Sequence, residues 1–176
     1  MAIIPLVEPE DAPEAEDLVA RLKAGRRGSL LGIYKALLHN PGLAESWFGH
    51  LNAVRWKTDL PGRLREILII RVGHLLNCRY IMKQHVPKLA MADGVTESEC
   101  DALISQTPGN CFSAPEKAAI GAADALTLSA NVPEAIVAGL KAHYTDKQIM
   151  EMMVLIGTYN MHARFVNGIH LDLEPD

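Results

Sequence analysis

Four residues in the middle of the chain have the types and the spacing for proton transfer or thiol chemistry. Glu66 is followed twelve residues later by Cys78, then by Tyr80, and finally by His85. Histidine has a pKa close to neutral pH, and a neighbouring carboxylate decides which of its ring nitrogens carries the proton. Glu66, Cys78, Tyr80 and His85 are therefore the candidate catalytic residues.

Two helices are expected to position these residues. Asn77 is a good helix N-cap, so the sequence predicts one helix over 62–76 and a second over 78–92. Cys78 would lie in the first turn of the second helix, where the helix dipole lowers the pKa of a thiol. An inert, buried thiol remains the equally weighted alternative for this residue.

An internal repeat indicates how the core is built. Residues 66–85 align with residues 151–170, with apolar residues matching apolar residues and these pairs in register: Glu66 with Glu151, Arg79 with Arg164, Tyr80 with Phe165, Ile81 with Val166, and His85 with His170. Two related helical hairpins packed together would bury both apolar faces. The carboxylate of Glu66 could then hydrogen-bond the imidazole of His85 from the neighbouring helix.

Helical periodicity dominates the whole chain, and period-two runs rich in Val, Ile and Thr are absent. The prediction is an all-α fold, with one domain over residues 14–176 and an extended N-terminal arm over residues 1–13. A threonine three residues before Glu99 predicts a capping box at Thr96. The predicted helices cover 15–24, 30–39, 42–54, 62–76, 78–92, 97–105, 115–129, 133–142 and 146–168.

Composition gives no sign of nucleic-acid or membrane partners. Hydrophobic residues make up 49% of the 176 residues, charged residues 22%, and the net charge is -4, all ordinary for a soluble globular protein. The N-terminus lacks the basic and apolar regions of a signal peptide, and the apolar runs at 67–70 and 152–157 are far shorter than a membrane span. A cytoplasmic location is expected.

Cysteine and histidine usage bears on disulfides and metals. Cys78, Cys100 and Cys111 form no CxxC pair, so reduced thiols are expected. The chain has seven histidines but no HExxH motif, so no metal site is predicted.

The glutamate, the CxY segment and the histidine nineteen residues after the glutamate resemble the carboxymuconolactone decarboxylase and alkyl hydroperoxidase D superfamily. The resemblance spans about residues 25–173 and includes LLHNPGLAESW, LPGRLREILIIRVG and LIGTYNMHARFVNG. It implies an all-helical bundle and a homo-oligomer, as a trimer or hexamer, or as a dimer.

The peroxidase branch of that superfamily carries two cysteines in a CxxC motif. Here Glu66, Cys78 and His85 match the motif, but Ile81 occupies the position of the second cysteine. Thiol exchange needs two sulfur partners. A peroxiredoxin-like antioxidant activity would have to use Cys78 alone, and this is the alternative function.

The decarboxylase branch lacks the cysteine pair and resembles this chain at Tyr80 and His85. It implies decarboxylation of a small carboxylated lactone or related unsaturated acid, with no metal or organic cofactor. His85 would transfer the proton, Glu66 would orient it, and Tyr80, Glu66 or a water would stabilise the developing enolate. The residues expected to bind the substrate or line its cavity are Arg55, Arg71, Arg164, Tyr159, Asn160 and His162.

A third reading is a non-catalytic oligomeric binding protein that kept the fold. A cavity around His85 plugged by apolar side chains would support it, whereas an open, polar cavity would count against it.

Overall fold

The computed structural model describes residues 2–25, 28–105, 108 and 110–174. Within these ranges the chain forms helices and no strand, so the all-α prediction is confirmed. The helices are α1 (Glu16–Ala24), α2 (Gly32–Leu37), α3 (Pro41–Trp56), α4 (Gly62–Leu75), α5 (Arg79–His85), α6 (Lys88–Ala92), α7 (Glu97–Leu103), α8 (Ala114–Ser129), α9 (Glu134–Lys141) and α10 (Asp146–Gly168). None of them is long and apolar enough to span a membrane.

Side-chain caps fix the starts of several helices. Thr96 accepts from the backbone N–H of Glu99, whose side chain accepts in return from the Thr96 N–H, which confirms the predicted capping box. The same reciprocal arrangement begins α8 at Ser113 and α10 at Thr145. Each cap satisfies backbone N–H groups that have no partner inside the helix.

The centre of the fold is α4, which packs against α5, α8 and α10. Its residues from Leu64 to Gly73 are all buried. Three of them, Arg65, Glu66 and Arg71, are charged. Buried charges are tolerated only when they are paired or hydrogen-bonded, so the interior of this helix already contains a polar network.

The predicted helix over 78–92 is two helices, α5 and α6. Pro87 has no backbone N–H to continue the helical bonding, and Val86 before it is extended, with φ -103° and ψ 131°. The N-cap prediction at Asn77 is also wrong. Asn77 has a left-handed backbone with φ 49°, and Cys78 is the N-cap of α5.

The two copies of the repeat differ in shape. The first copy is broken between α4 and α5, and the second runs as the continuous helix α10, which ends before His170. The break lets α5 fold back on α4. Gly73 permits this close approach, because a Cβ there would lie 2.8 Å from Ile81 Cγ2. The first copy therefore presents two helices to the core where the second presents one.

The N-terminal segment packs on its own chain. The N–H of Ile3 donates to the carbonyl of Ile169 (2.9 Å), and the N–H of Val7 donates to the carbonyl of Lys35 (3.1 Å). Short 3-10 turns follow at Pro9–Asp11 and Pro13–Ala15. The extended part therefore ends at Glu8 rather than at residue 13.

Candidate active site

A buried carboxylate–imidazole pair joins α4 to α5. His85 Nδ1 donates to Glu66 Oε2 at 2.5 Å. Glu66 is fully buried and His85 is 5% exposed. Because an ionised carboxylate can only accept, Nδ1 carries the ring proton, and Nε2 is the nitrogen left for chemistry.

Two arginines hold the other oxygen of Glu66. Oε1 lies 3.7 Å from Arg55 Nη2 on α3 and 3.7 Å from Arg65 Nε on α4. Arg65 is fixed further by Asp93 Oδ2 (2.6 Å) and by the carbonyl of Arg55 (3.0 Å). The Nε atoms of both arginines are buried without a hydrogen-bond partner among the described residues, but Arg55 has no second carboxylate comparable to Asp93.

The charges around this pair set its protonation state. Burial alone raises the pKa of Glu66, but the hydrogen bond from His85 and the charges of His85, Arg55 and Arg65 outweigh it and hold that pKa below its ordinary value. Burial lowers the pKa of His85, and the two arginines add to the lowering, against the opposing pull of Glu66. At neutral pH the resting pair is therefore an ionised Glu66 beside a neutral His85 whose Nε2 is basic.

His85 lies on the wall of a cavity of about 370 Å³. Among the described residues, no aspartate or glutamate lines this cavity, whereas Arg55, Lys88 and the two histidines do. Its lining is Gly25, Leu31, Ile33, Tyr34, Leu51, Arg55, Trp56, Tyr80, Ile81, Gln84, His85, Lys88, Leu89, Tyr159 and His162. The cavity therefore combines apolar walls with positive charge, which suits a small organic anion.

Aromatic rings form one side of the cavity. Tyr159 on α10 lies edge-on to His85, with ring centroids 5.7 Å apart, and is stacked on His162 at 5.8 Å. The guanidinium carbons of Arg55 and Arg65 lie 4.8 Å and 4.6 Å from the ring centroid of Trp56. These stacks fix the orientation of Arg55 and both imidazoles.

The ring of Tyr80 lines the cavity, but its hydroxyl is already engaged. It donates to Glu174 Oε1 at 2.5 Å. Burial first, and Glu174 second, raise the pKa of Tyr80 well above its ordinary value. Since its proton is committed to Glu174, Tyr80 is poorly placed to donate to an enolate, contrary to the role predicted for it.

Cys78 lies in the core. It is fully buried and is not among the described residues that line the cavity. Burial raises the pKa of its thiol, and N–H contacts from Ile81 and Tyr80 offset this only in part. The prediction that the helix dipole lowers this pKa is therefore wrong. All three cysteines are free, and only Cys111 is exposed.

Three other predicted residues lie outside the cavity. Arg71 is buried against Asp124, with Nε 2.6 Å from Oδ1, and donates to the carbonyls of Leu103 and Ser105, which is a structural role. Arg164 is exposed on α10. Asn160 donates to Thr127 Oγ1 and to the carbonyl of Ile156. Of the predicted arginines, the structure brings Arg55 alone to the pair.

Four residues near the site were missed by sequence reasoning: Trp56, Arg65, Lys88 and Glu174. Arg65 is buried, although charged side chains are mostly exposed. Trp56 directly after Arg55 was a usable signal, because arginine and tryptophan commonly stack. Glu174 lies ninety-four residues from Tyr80, and no local pattern connects them. No group of three or more potential metal ligands occurs among the described residues.

Comparison with known proteins shows similarity to one family. Residues 41–125 match the profile of the Carboxymuconolactone decarboxylase family. The uncharacterized protein YdfG of Bacillus subtilis (strain 168) is 28% identical over 102 residues, which cover 57% of this chain and 69% of YdfG.

Solved structures share the fold. An AhpD-core, peroxidase-related protein from Ralstonia eutropha JMP134 superposes with a TM-score of 0.84 at 16% identity, covering 98% of this chain and 92% of that one. A peroxidase-related protein from Silicibacter sp. TM1040 gives 0.83 at 17% identity, covering 98% and 90%. The debrominase Bmp8 bound to 2,3,4-tribromopyrrole gives 0.81 at 17% identity, covering 99% and 94%. The fold is thus the AhpD-like helical bundle.

Residues 41–125 are thus similar to the Carboxymuconolactone decarboxylase family, and the fold is similar to that of AhpD-like proteins. Proteins of similar fold include at least one enzyme, the debrominase.

Proposed function

We propose that this protein is a cofactor-independent acid–base enzyme of the decarboxylase type, acting on a small carboxylated lactone or related unsaturated acid. The observation that carries the proposal is the Glu66–His85 pair, 2.5 Å apart, on the wall of a cavity with positively charged lining. A general base needs a neutral imidazole with one nitrogen fixed and the other accessible. The pair supplies both conditions.

The chemistry follows from this arrangement. The carbon–carbon bond to the carboxylate breaks, carbon dioxide leaves, and the bonding electrons pass into the unsaturated system as an enolate. His85 takes a proton from solvent at Nε2 and delivers it to the substrate carbon. Glu66 stabilises the transient imidazolium, since its carboxylate is ionised and bonded to Nδ1. One proton thus replaces each carbon dioxide released, and no oxidant is consumed.

Arg55 and Lys88 support an anionic substrate. Both line the cavity with His85, and an arginine can bind a carboxylate through two parallel hydrogen bonds. The rings of Tyr159 and Trp56 offer flat apolar contact for an unsaturated ring. A volume of about 370 Å³ accommodates a small ring with one or two carboxylates.

The proposal is tested with unsaturated five-membered lactones carrying one or two carboxylates, assayed in deuterium oxide. Wild-type protein is expected to release carbon dioxide and to incorporate one deuterium on carbon per turnover. His85→Asn keeps a donor toward Glu66 but removes Nε2, so release should fall by about 10²-fold or more. The matched control is His50→Asn, because His50 bonds Thr158 and is not among the described lining residues.

Equal loss in both variants, or none in His85→Asn, contradicts the proposal. The peroxidase alternative has less support, because the Cys78 thiol is buried with a raised pKa. The open, cation-lined cavity also counts against the non-catalytic alternative.

Homo-oligomer formation stays a prediction, and α10 offers a surface for it. Met150, Val154 and Met161 are 54%, 41% and 42% exposed, and their spacing places them on one face of the helix. Light scattering on the eluting protein measures the assembly, and a monomer would contradict the prediction.

A further inference from the structure

We propose that a carboxylate bound at Arg55 loads His85 with a proton from solvent, so that the substrate itself converts the resting base into the acid that decarboxylation requires. The inference rests on the proposed function, which needs a protonated His85 at the moment carbon dioxide leaves. The resting pair holds a neutral His85, so the additional proton has to be acquired after the substrate enters.

The coupling begins at Arg55. Arg55 lines the cavity, its side chain is 10% exposed, and its ion pair with Glu66 is 3.7 Å long, which is beyond hydrogen-bond distance. A buried guanidinium with unmet donors is costly unless an anion completes its bonding. The cavity thus contains a cation that is prepared for a carboxylate.

The second step runs through Glu66. Arg55 Nη2 is 3.7 Å from Glu66 Oε1, and Glu66 Oε2 is 2.5 Å from His85 Nδ1. The positive charge of Arg55 disfavours a second positive charge on His85 and so lowers the pKa of His85. A bound carboxylate cancels that charge, and Glu66 is then free to stabilise an imidazolium.

Arg65 shows why the effect is specific to Arg55. It lies at the same 3.7 Å from the same oxygen, but its charge is already compensated by Asp93 at 2.6 Å. Arg65 is also not among the described residues that line the cavity. The effect of Arg65 on the pKa of His85 therefore stays constant when an anion binds, whereas the effect of Arg55 changes.

Among the described residues, the other groups near His85 do not couple anion binding to the protonation of His85 in the way that Arg55 does. The charged or titratable groups that line the cavity with His85 are Tyr34 on α2, Arg55 on α3, Tyr80 on α5, Lys88 on α6, and Tyr159 and His162 on α10. Glu66 on α4 bonds His85 directly, and Arg65 on α4 contacts Glu66. Lys88 is an exposed residue, where solvent screens its charge. His162 is separated from His85 by the ring of Tyr159.

The test is isothermal titration of benzoate into the protein at pH 7 in two buffers with different ionisation enthalpies. Benzoate stays ionised at this pH, so any buffer dependence of the heat reports protons taken up by the protein. Wild type is expected to take up a measurable fraction of a proton, with an upper limit of one per benzoate. His85→Asn is expected to bind benzoate with no uptake, and His50→Asn is the matched control that keeps it.

Arg55→Gln should weaken benzoate binding by about tenfold or more and abolish the uptake. A binding heat that does not depend on the buffer in wild type would overturn the inference, as would uptake that persists in His85→Asn. Failure of benzoate to bind would overturn it equally. If Arg55→Gln does not fold, the wild-type and His85→Asn titrations still decide.

These titrations involve no turnover, so their outcome is separate from that of the decarboxylation assay. Uptake without lactone decarboxylation would refute the proposed reaction and leave the coupling standing. Decarboxylation without proton uptake would refute the coupling and leave the proposed reaction standing.

Discussion

Removing the charge of Glu66 should destabilise the protein far more than removing the charge of an equally buried glutamate elsewhere. In Glu66→Gln, Arg55 and Arg65 lose a carboxylate oxygen that lies 3.7 Å from each. At that distance and an effective dielectric of about 20, each ion pair contributes about 4–5 kcal/mol before the cost of burying the charges. Stripping one partner from a buried pair leaves a net loss of about 3–5 kcal/mol.

Glu151→Gln is the matched control, because Glu151 is the repeat counterpart of Glu66 and is also buried. It accepts from the N–H of Asp59 at 2.9 Å, and its cation Lys147 is 3.9 Å away and 59% exposed. A glutamine oxygen can accept the same bond, so the expected loss is about 1 kcal/mol or less.

The assay is urea denaturation of wild type and both variants at pH 7 and again at acid pH. The folded-state pKa of Glu66 is lowered, so its contribution is complete above its unfolded pKa of about 4.3 and is lost as pH falls through the lower folded value. The difference in the free energy of unfolding between wild type and Glu66→Gln should therefore become smaller at acid pH. Equal losses of unfolding free energy in the two variants at pH 7 would refute the reasoning, as would a difference between wild type and Glu66→Gln that grows at acid pH.

Three further predictions concern the walls of the site. Glu174→Ala removes the carboxylate that accepts hydrogen bonds from the Gly32 N–H, the Tyr80 hydroxyl and the Gln84 amide, and these bonds connect α2 to α5. We expect KM to rise by about tenfold and kcat to change by less than about threefold. An unchanged KM in steady-state kinetics would contradict this prediction. Gly73→Ala places a Cβ 2.8 Å from Ile81 and should lower the free energy of unfolding by about 1–2 kcal/mol. Gly157 has open space around its Cβ position, so Gly157→Ala should raise the free energy of unfolding by about 0.5–1 kcal/mol. Thiol labelling of the folded protein, mapped by mass spectrometry, should modify the exposed Cys111 and spare Cys78; rapid labelling of Cys78 would revive the peroxidase alternative.

The sequence predicted what depends on local pattern. Periodicity and capping residues gave the helices, and the spacing of Glu66 and His85 anticipated a pair that the structure places at hydrogen-bond distance. Pro87 could also have predicted the break within 78–92, since proline lacks the N–H that a helix needs. The position of Asn77 was misjudged, because asparagine is as suitable for a left-handed backbone as for an N-cap.

Other features depend on contacts between distant parts of the chain. Which of Arg55, Arg71 and Arg164 reaches the cavity is decided by tertiary packing, and Arg71 is taken by Asp124 on α8. The engagement of the Tyr80 hydroxyl by Glu174 depends on where the C-terminal segment packs. The pKa direction of Cys78 was reversed by burial, which outweighs a helix dipole when a thiol is fully enclosed.

The most direct test of the central claim is chemical rescue of His85→Ala by free imidazole in the lactone decarboxylation assay. Deletion of the ring leaves Glu66 and Arg55 in place and opens space beside the cavity. Turnover is expected to fall by about 10²-fold or more and to recover in part, in proportion to the concentration of added imidazole. Full turnover in His85→Ala without imidazole would contradict the assignment of His85 as the residue that moves the proton.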